Sequence, residues 1–158
     1  MKSKDQWIAD FHEWIPFAES LKSLDDRAWS TPIAPGKWSV RDIVSHIVRW
    51  DEYFLEEALR PIVNGVPLTV RQLDFDAFNK EAAEWGRTVD QRQLLQEAVQ
   101  VRTQVLKTLQ RIPESDYARE YPAEDHAFVI QNYIEDFIWH DQHHMAQIKE
   151  FLQSLTES

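Results

Sequence analysis

The chain has 158 residues, no cysteine, 43% hydrophobic residues and a formal net charge of −10. This composition excludes disulfides, thiolate ligands and a cysteine nucleophile, and it offers no basic stripe to meet nucleic-acid phosphates or an anionic membrane surface. Three glycines and abundant Leu, Ala, Glu, Gln and Arg predict an all-α fold, in one domain over residues 1–158 that is large enough to bury a core. The first residues lack the apolar run of a signal peptide, and no stretch approaches the ~18 apolar residues of a membrane span. A cytoplasmic protein is the expectation.

A first helix is predicted over residues 4–24, where Trp7, Ile8, Phe11, Trp14, Ile15, Ala18 and Leu21 recur at helical spacing. Pro16 interrupts that pattern and predicts a kink or two abutting helices. His12 lies at the edge of the stripe and reads as a partly exposed side chain. Residues 29–38 hold two prolines and a glycine and read as a loop. Ser39, with Asp42 three residues on, predicts an N-cap in the manner of a capping box. The second helix carries Val40, Ile43, His46, Ile47, Trp50, Phe54, Leu55 and Ala58, so His46 faces inward.

After Arg60 a connection of about fifteen residues to Asp74 is predicted, longer than most bundle connections and suited to a crossover or a lid. A short accessory helix follows, with Phe75, Phe78, Ala82 and Trp85 on one face and Gly86 as its stop. Asp90 is expected to cap a long helix whose stripe is Leu94, Ala98, Val101, Val105, Leu109 and Ile112, ended by Pro113. Residues 114–126 are polar and irregular. The last helix is predicted over residues 127–155, with Ile130, Tyr133, Phe137, His140, His144, Ile148, Phe151 and Leu155 on the inward face. Asp136, His143, Gln147 and Glu150 fall on another face. These elements describe a helical bundle with a crossover.

Histidines 140 and 144 stand one helical turn apart and can hold the same metal ion. His46 supplies a third imidazole from another helix. Burying three imidazoles leaves several polar nitrogens to satisfy, and a shared divalent metal satisfies all three. His140-Asp141-x-x-His144 also resembles the zinc-peptidase pattern, with Asp141 one methylene shorter than the usual glutamate. Asp141 reads better as a surface carboxylate or a partner of a ligand.

The segments Gly36-Lys37-Trp38-Ser39-Val40-Arg41-Asp42-Ile43-Val44-Ser45-His46-Ile47, Phe75-Asp76 and Ile138-Trp139-His140-Asp141-Gln142-His143-His144-Met145-Ala146-Gln147-Ile148 resemble the DinB-like superfamily, and within it the YfiT-like branch of metal-dependent hydrolases. The resemblance spans nearly the whole chain. It implies a four-helix bundle of up-down-down-up topology and a divalent metal, often nickel or zinc, on His46, His140 and His144. It also implies, for some relatives, transferase activity with a low-molecular-weight thiol such as bacillithiol or mycothiol, and a homodimer.

Three neutral imidazoles leave coordination positions open, as in catalytic sites. An open position can activate water, giving a hydrolase, or a thiol, giving an S-transferase; the second route suits a chain with no cysteine of its own. A small-molecule substrate is expected, in a pocket shaped by residues 60–74 and 114–126. Asp51, Asp136 and Asp141 are candidates for holding ligands or handling protons, with Asp51 and Asp141 the catalytic guesses. The alternative reading is a non-enzymatic binding or stress-response module whose metal site is structural or vestigial.

Overall fold

A computed structural model describes residues 2–157. Helix α1 (Lys4–His12) starts at Ser3, which accepts from the Gln6 backbone while its own N–H donates to the Gln6 side chain. Pro16 is accommodated by abutting helices: α2 (Trp14–Ser20) begins after Glu13, which puts the proline in a first turn whose N–H groups need no intrahelical partner. A 3₁₀ turn (Leu21–Ser23) leads to α3 (Asp26–Ser30), which the loop reading had overlooked at residues 29–30. Asp25 caps it by accepting from Ala28. Helix α4 (Val40–Phe54) opens with the expected reciprocal capping of Ser39 and Asp42.

The rod does not end at Arg60. It widens into a π turn (Leu55–Leu59), where the Arg60 N–H reaches Leu55, and continues as α5 (Arg60–Asn64) to Gly65 in a left-handed cap at φ 67°. Pro61 has no N–H for the Glu57 carbonyl one turn back, and the Thr69 N–H takes its place at 3.0 Å. The irregular connection is therefore residues 66–74, shorter than expected. Helix α6 (Phe75–Gly86) has the expected bounds and is capped by Asp74. Gly86 is not a left-handed stop. A Cβ there would lie 1.7 Å from Ser45 Oγ, so glycine is needed to let α6 lie against α4.

Helix α7 (Gln91–Arg111) follows Asp90, whose side chain makes no capping bond. The final helix α8 (Ile130–Glu157) starts three residues later than expected. Residues 127–128 are instead strand β2 (Ala127–Phe128), antiparallel to β1 (Tyr121–Pro122), with Tyr121 opposite Phe128.

Long-range contacts fix the direction of each rod. Lys4 Nζ donates to the Gln110 carbonyl, Arg102 to that of Phe11, and Gln91 to that of Leu21, so α7 runs antiparallel to α1–α2. Trp7 donates to Glu135 and Lys149 lies over Phe17, so α8 runs parallel to α1–α2. Trp50 meets Phe137 and Phe54 stacks on Tyr133, so α4 opposes α8. The result is a four-helix bundle, up-down-down-up. Because α4 and α7 are parallel, the chain must cross back the length of the bundle between them, and α6 makes that return.

The expected inward stripes of α4 and α7 are buried as read. Helix α8 is turned relative to its reading: its buried line is Ile130, Ile134, Ile138, Asp141, Met145 and Ile148, while Tyr133, Phe137, His140 and His144 lie half-buried on the flank. Phe75 is likewise exposed instead of inward.

The close approach of α6 to α4 gives a direct check. Gly86→Ala should destabilise the fold by about 1–3 kcal/mol in urea unfolding, the usual range for overpacking, and Ser45→Gly in the same chain should recover most of the loss. An unchanged unfolding midpoint for Gly86→Ala would contradict the geometry.

Candidate metal centre

Histidines 46, 140 and 144 converge, each offering one nitrogen, with those three atoms within 4.8 Å of one another. The α4 capping box sets the phase that buries His46, and the one-turn spacing on α8 stands the other two side by side. The His140 and His144 Nε2 atoms are 3.2 Å apart. The His46 ring lies edge-on to both, its centroid 5.2 Å from His140 and 4.9 Å from His144.

Neighbouring acceptors decide where the protons sit. The His46 Nδ1–H donates to the Ile43 carbonyl at 2.6 Å, so its Nε2 keeps a lone pair; that Nε2 is buried and has no protein partner. The His144 Nδ1–H donates to Gln147 Oε1 at 2.9 Å, which leaves its Nε2 as a lone pair too. Gln147 thus belongs with the histidines and not on a separate face. His140 is the adjustable member: its Nδ1 is buried without a partner, and its Nε2 faces that of His144.

Burial, joined by the other two imidazoles, pushes His46 well below the usual histidine range. Burial and His143 lower His140, and burial with His140 lowers His144 to about 4. All three are neutral at pH 7 with nitrogens clustered, which is the chemistry a borderline divalent ion requires. An orphaned buried Nε2 facing two more nitrogens fits a metal better than it fits a hydrogen-bonded core. Trp38 closes one side, its ring 4.7 Å from His46 and 6.5 Å from His144.

The cluster lies between two hollows. His140 faces a cavity of about 920 Å³, walled by Trp50, Tyr53, Phe75, Phe128, Tyr133, Phe137 and Trp139, with Val70–Leu73 on one side and Asp125 and His126 on another. These two segments lie within the irregular stretches expected to shape a pocket. Phe75 and Trp139, 64% and 65% exposed, stand at its walls. The strap of residues 66–74 is fastened there: Tyr53 Oη donates to the Arg71 carbonyl and accepts from its N–H, both at 3.0 Å, and the Thr69 hydroxyl donates to Glu57. His144 faces a smaller hollow of about 190 Å³ formed with Ile33, Gly36, Lys37, Trp38, Ile43 and Gln147.

Two of the three carboxylates singled out in the sequence lie away from both hollows. Asp51 and Asp141 are both buried against Arg102, so Asp141 is not a surface charge. Asp136 is exposed at the larger cavity. His12 is exposed, and His143 is exposed and stacked on Trp139 at 5.2 Å. Sequence reasoning missed Trp38, Gln147, Tyr53 and Arg102. Gln147, three residues after His144, and Arg102, four after Ala98 and three before Val105, carried a signal that helical spacing could have exposed.

The family model of the DinB superfamily matches residues 13–148, a span that includes all three histidines. The chain is 29% identical over 154 residues to a protein of Geobacillus thermodenitrificans provisionally named a metal-dependent hydrolase, across 90% of this chain and 80% of that one. It is 26% identical over 159 residues to YfiT of Bacillus subtilis, which bears the same provisional name, across 94% and 84%. The solved structure of YfiT, described as having an unusual four-helix bundle topology, matches with a TM-score of 0.75 at 21% identity, covering 97% of this chain and 87% of that one. The mycothiol-dependent maleylpyruvate isomerase matches with a TM-score of 0.71 at 9% identity, covering 94% of this chain and 63% of that one, a likeness of fold. The chain belongs to the DinB superfamily.

Proposed function

We propose that the protein is a metal-dependent enzyme that holds nickel or zinc on His46, His140 and His144 and joins a low-molecular-weight thiol, or water, to a flat apolar electrophile. The observation that carries this reading is the convergence of three neutral imidazole nitrogens beside a large ring-walled cavity. The relatives' provisional names as metal-dependent hydrolases support the metal, and the fold shared with a mycothiol-dependent enzyme supports a thiol. When bound, a divalent ion supplies a Lewis acid that turns a thiol or a water into a nucleophile near neutral pH.

The chain's own residues do the rest. Ile43 and Gln147 hold the Nδ1 protons of His46 and His144, so the lone pairs point to a common place without a change of tautomer. Trp50, pinned by its Nε1–H to Asn79 Oδ1 at 2.8 Å, and Phe137, stacked on Tyr133 at 4.5 Å, belong to an aromatic wall suited to an apolar substrate. Tyr53 holds the Arg71 backbone in place as one wall of that cavity. Arg71, Asp125 and Asp136 are the charged residues among the lining, set at the edge of an otherwise ring-walled cavity, and His126 is bonded to Asp125 at 2.7 Å.

Purified protein offered nickel, zinc, cobalt or iron should take up one equivalent, and His46→Ala should reduce that to none after desalting. Metal at a thousandfold excess over its Kd should add about 4 kcal/mol to stability, removable by chelator. Wild-type protein that stays metal-free with every ion overturns the reading. A thiol-conjugation assay with an aromatic electrophile, run beside hydrolysis of an aryl ester, then separates thiol from water.

His144 generates a pH prediction for the metal-free chain. Its folded pKa of about 4 lies below the ordinary 6.5, so between those values the unfolded chain binds the proton that the folded chain refuses. Its contribution is constant above about pH 6.5 and turns against the fold as pH falls toward 4. Asp141, raised to about 6 by burial against the pull of Arg102, has the opposite sign over an overlapping range. The difference in unfolding free energy between wild type and His144→Gln isolates the imidazole: wild type should lose stability relative to the variant on going from pH 6.5 to 4. A flat difference would contradict the burial.

A further inference from the structure

We infer that Arg102 is the positioning residue of the three-histidine site, acting through Asp51 and Asp141 on the two helices that carry the histidines; the inference rests on the metal-site reading. Its guanidinium is 0% exposed and touches every rod of the bundle. From α7 it donates through Nε and a terminal nitrogen to both oxygens of Asp51 on α4, at 2.8 and 3.2 Å. The other terminal nitrogen donates to Asp141 Oδ2 on α8 at 2.8 Å and to the Phe11 carbonyl on α1 at 2.7 Å. The plane lies over the Phe11 ring, 3.8 Å from its centroid.

Stability does not account for this arrangement. Two carboxylates and a guanidinium taken from water carry a large desolvation penalty, and apolar residues of similar volume commonly do as well or better. What an ionic fork supplies, and a methyl group does not, is direction. Asp51 follows His46 by five residues on α4, and Asp141 is the residue after His140 on α8. A slide of α8 by one residue moves it about 1.5 Å and turns it by about 100°, while a metal site tolerates misplacement of about 0.5 Å. Such a slide breaks the Asp141 bond and carries His140 and His144 off His46. In the direction that replaces Ile134 and Ile138 by Tyr133 and Phe137, apolar side chains stay in the seam and burial resists the slide weakly. The fork therefore sets the register of α8 against α4, and register is what brings the imidazoles together.

The test is a variant that keeps apolar volume and removes direction: Asp51→Leu, Arg102→Met and Asp141→Leu in one chain. It should fold, yet bind nickel or zinc about tenfold or more weakly in chelator competition, with an altered cobalt absorption spectrum. Crystals of the metal-free variant should show the His46 and His140 ring centroids farther apart than 5.2 Å. Wild-type affinity, spectrum and ring separation in a folded variant overturn the inference. Should the triple variant not fold, Arg102→Lys is read in the same way, since an ammonium keeps the charge but cannot span two carboxylates and a carbonyl in a fixed plane. Failure of both chains to fold assigns the trio to stability and also overturns it. Wild-type protein that takes up no metal overturns the proposed function instead, and the ring separation in metal-free crystals still decides this inference.

Discussion

A guanidinium without water in reach needs its donors answered by protein, and in this bundle the answers come from three other helices. Arg102 is surrounded by Asp51, Asp141 and the Phe11 carbonyl at hydrogen-bond distance, so no rod can rotate without leaving a buried charge or donor unpaired. Hydrophobic burial makes the four rods associate; this contact makes one association differ from its neighbours. Helix α8, with Ile130, Ile134 and Ile138 on one line and Tyr133 and Phe137 on the next, is the rod whose phase that contact decides.

The turn of α8 follows from it. With Asp141 drawn inward, the line Ile130, Ile134, Ile138, Asp141, Met145 and Ile148 becomes the core face, and Tyr133, Phe137, His140 and His144 move to the flank. A flank position has a use that a core position lacks. Core histidines would be sealed among aliphatic side chains, whereas His140 on the flank lines the aromatic cavity and His144 the smaller hollow. The misplaced phase of α8 in the sequence reading is thus the one that sets two imidazoles beside the hollows.

Much of the fold was legible because it depends on local chemistry. Ser39 and Asp42 announce the start of α4, Asp74 that of α6, and the stripes of α4 and α7 show which side is inward. The three histidines were legible for the same reason, as spacing on a helix places a side chain on a face. The failures share a different cause. Asp141 reads as a surface residue, since a carboxylate among apolar neighbours goes inside only when a distant arginine answers it. Arg102 lies next to Val101 on the inward stripe of α7, and nothing within a turn of it names Asp51 or Phe11. Pro61 looks like a terminus, yet the helix passes through it because Thr69 supplies the missing donor. Trp38 looks like loop punctuation until α4 and α8 are brought together behind it. In each case the deciding partner is remote in sequence.

The cavity wall follows the same logic of distant partners. The strap of residues 66–74 buries Val70 in the core and packs Leu68 against it, while its remaining residues lie at the surface or partly exposed. On either side of Val70 it is tied by Tyr53 to Arg71 and by Thr69 to Glu57, all hydrogen bonds to one exposed flank of the α4–α5 rod. Hydrogen bonds at a wet surface contribute modestly, about 1 kcal/mol each, because water competes for the same groups. The part of the wall beyond Val70, residues 71–72, is exposed and held in this way, so it yields more readily than the imidazoles, which are set by the buried ionic fork. The molecule thus separates a stiffer element from a more compliant one: the imidazoles hang from buried ionic bonds, and the exposed edge of the cavity hangs from hydrogen bonds in reach of water.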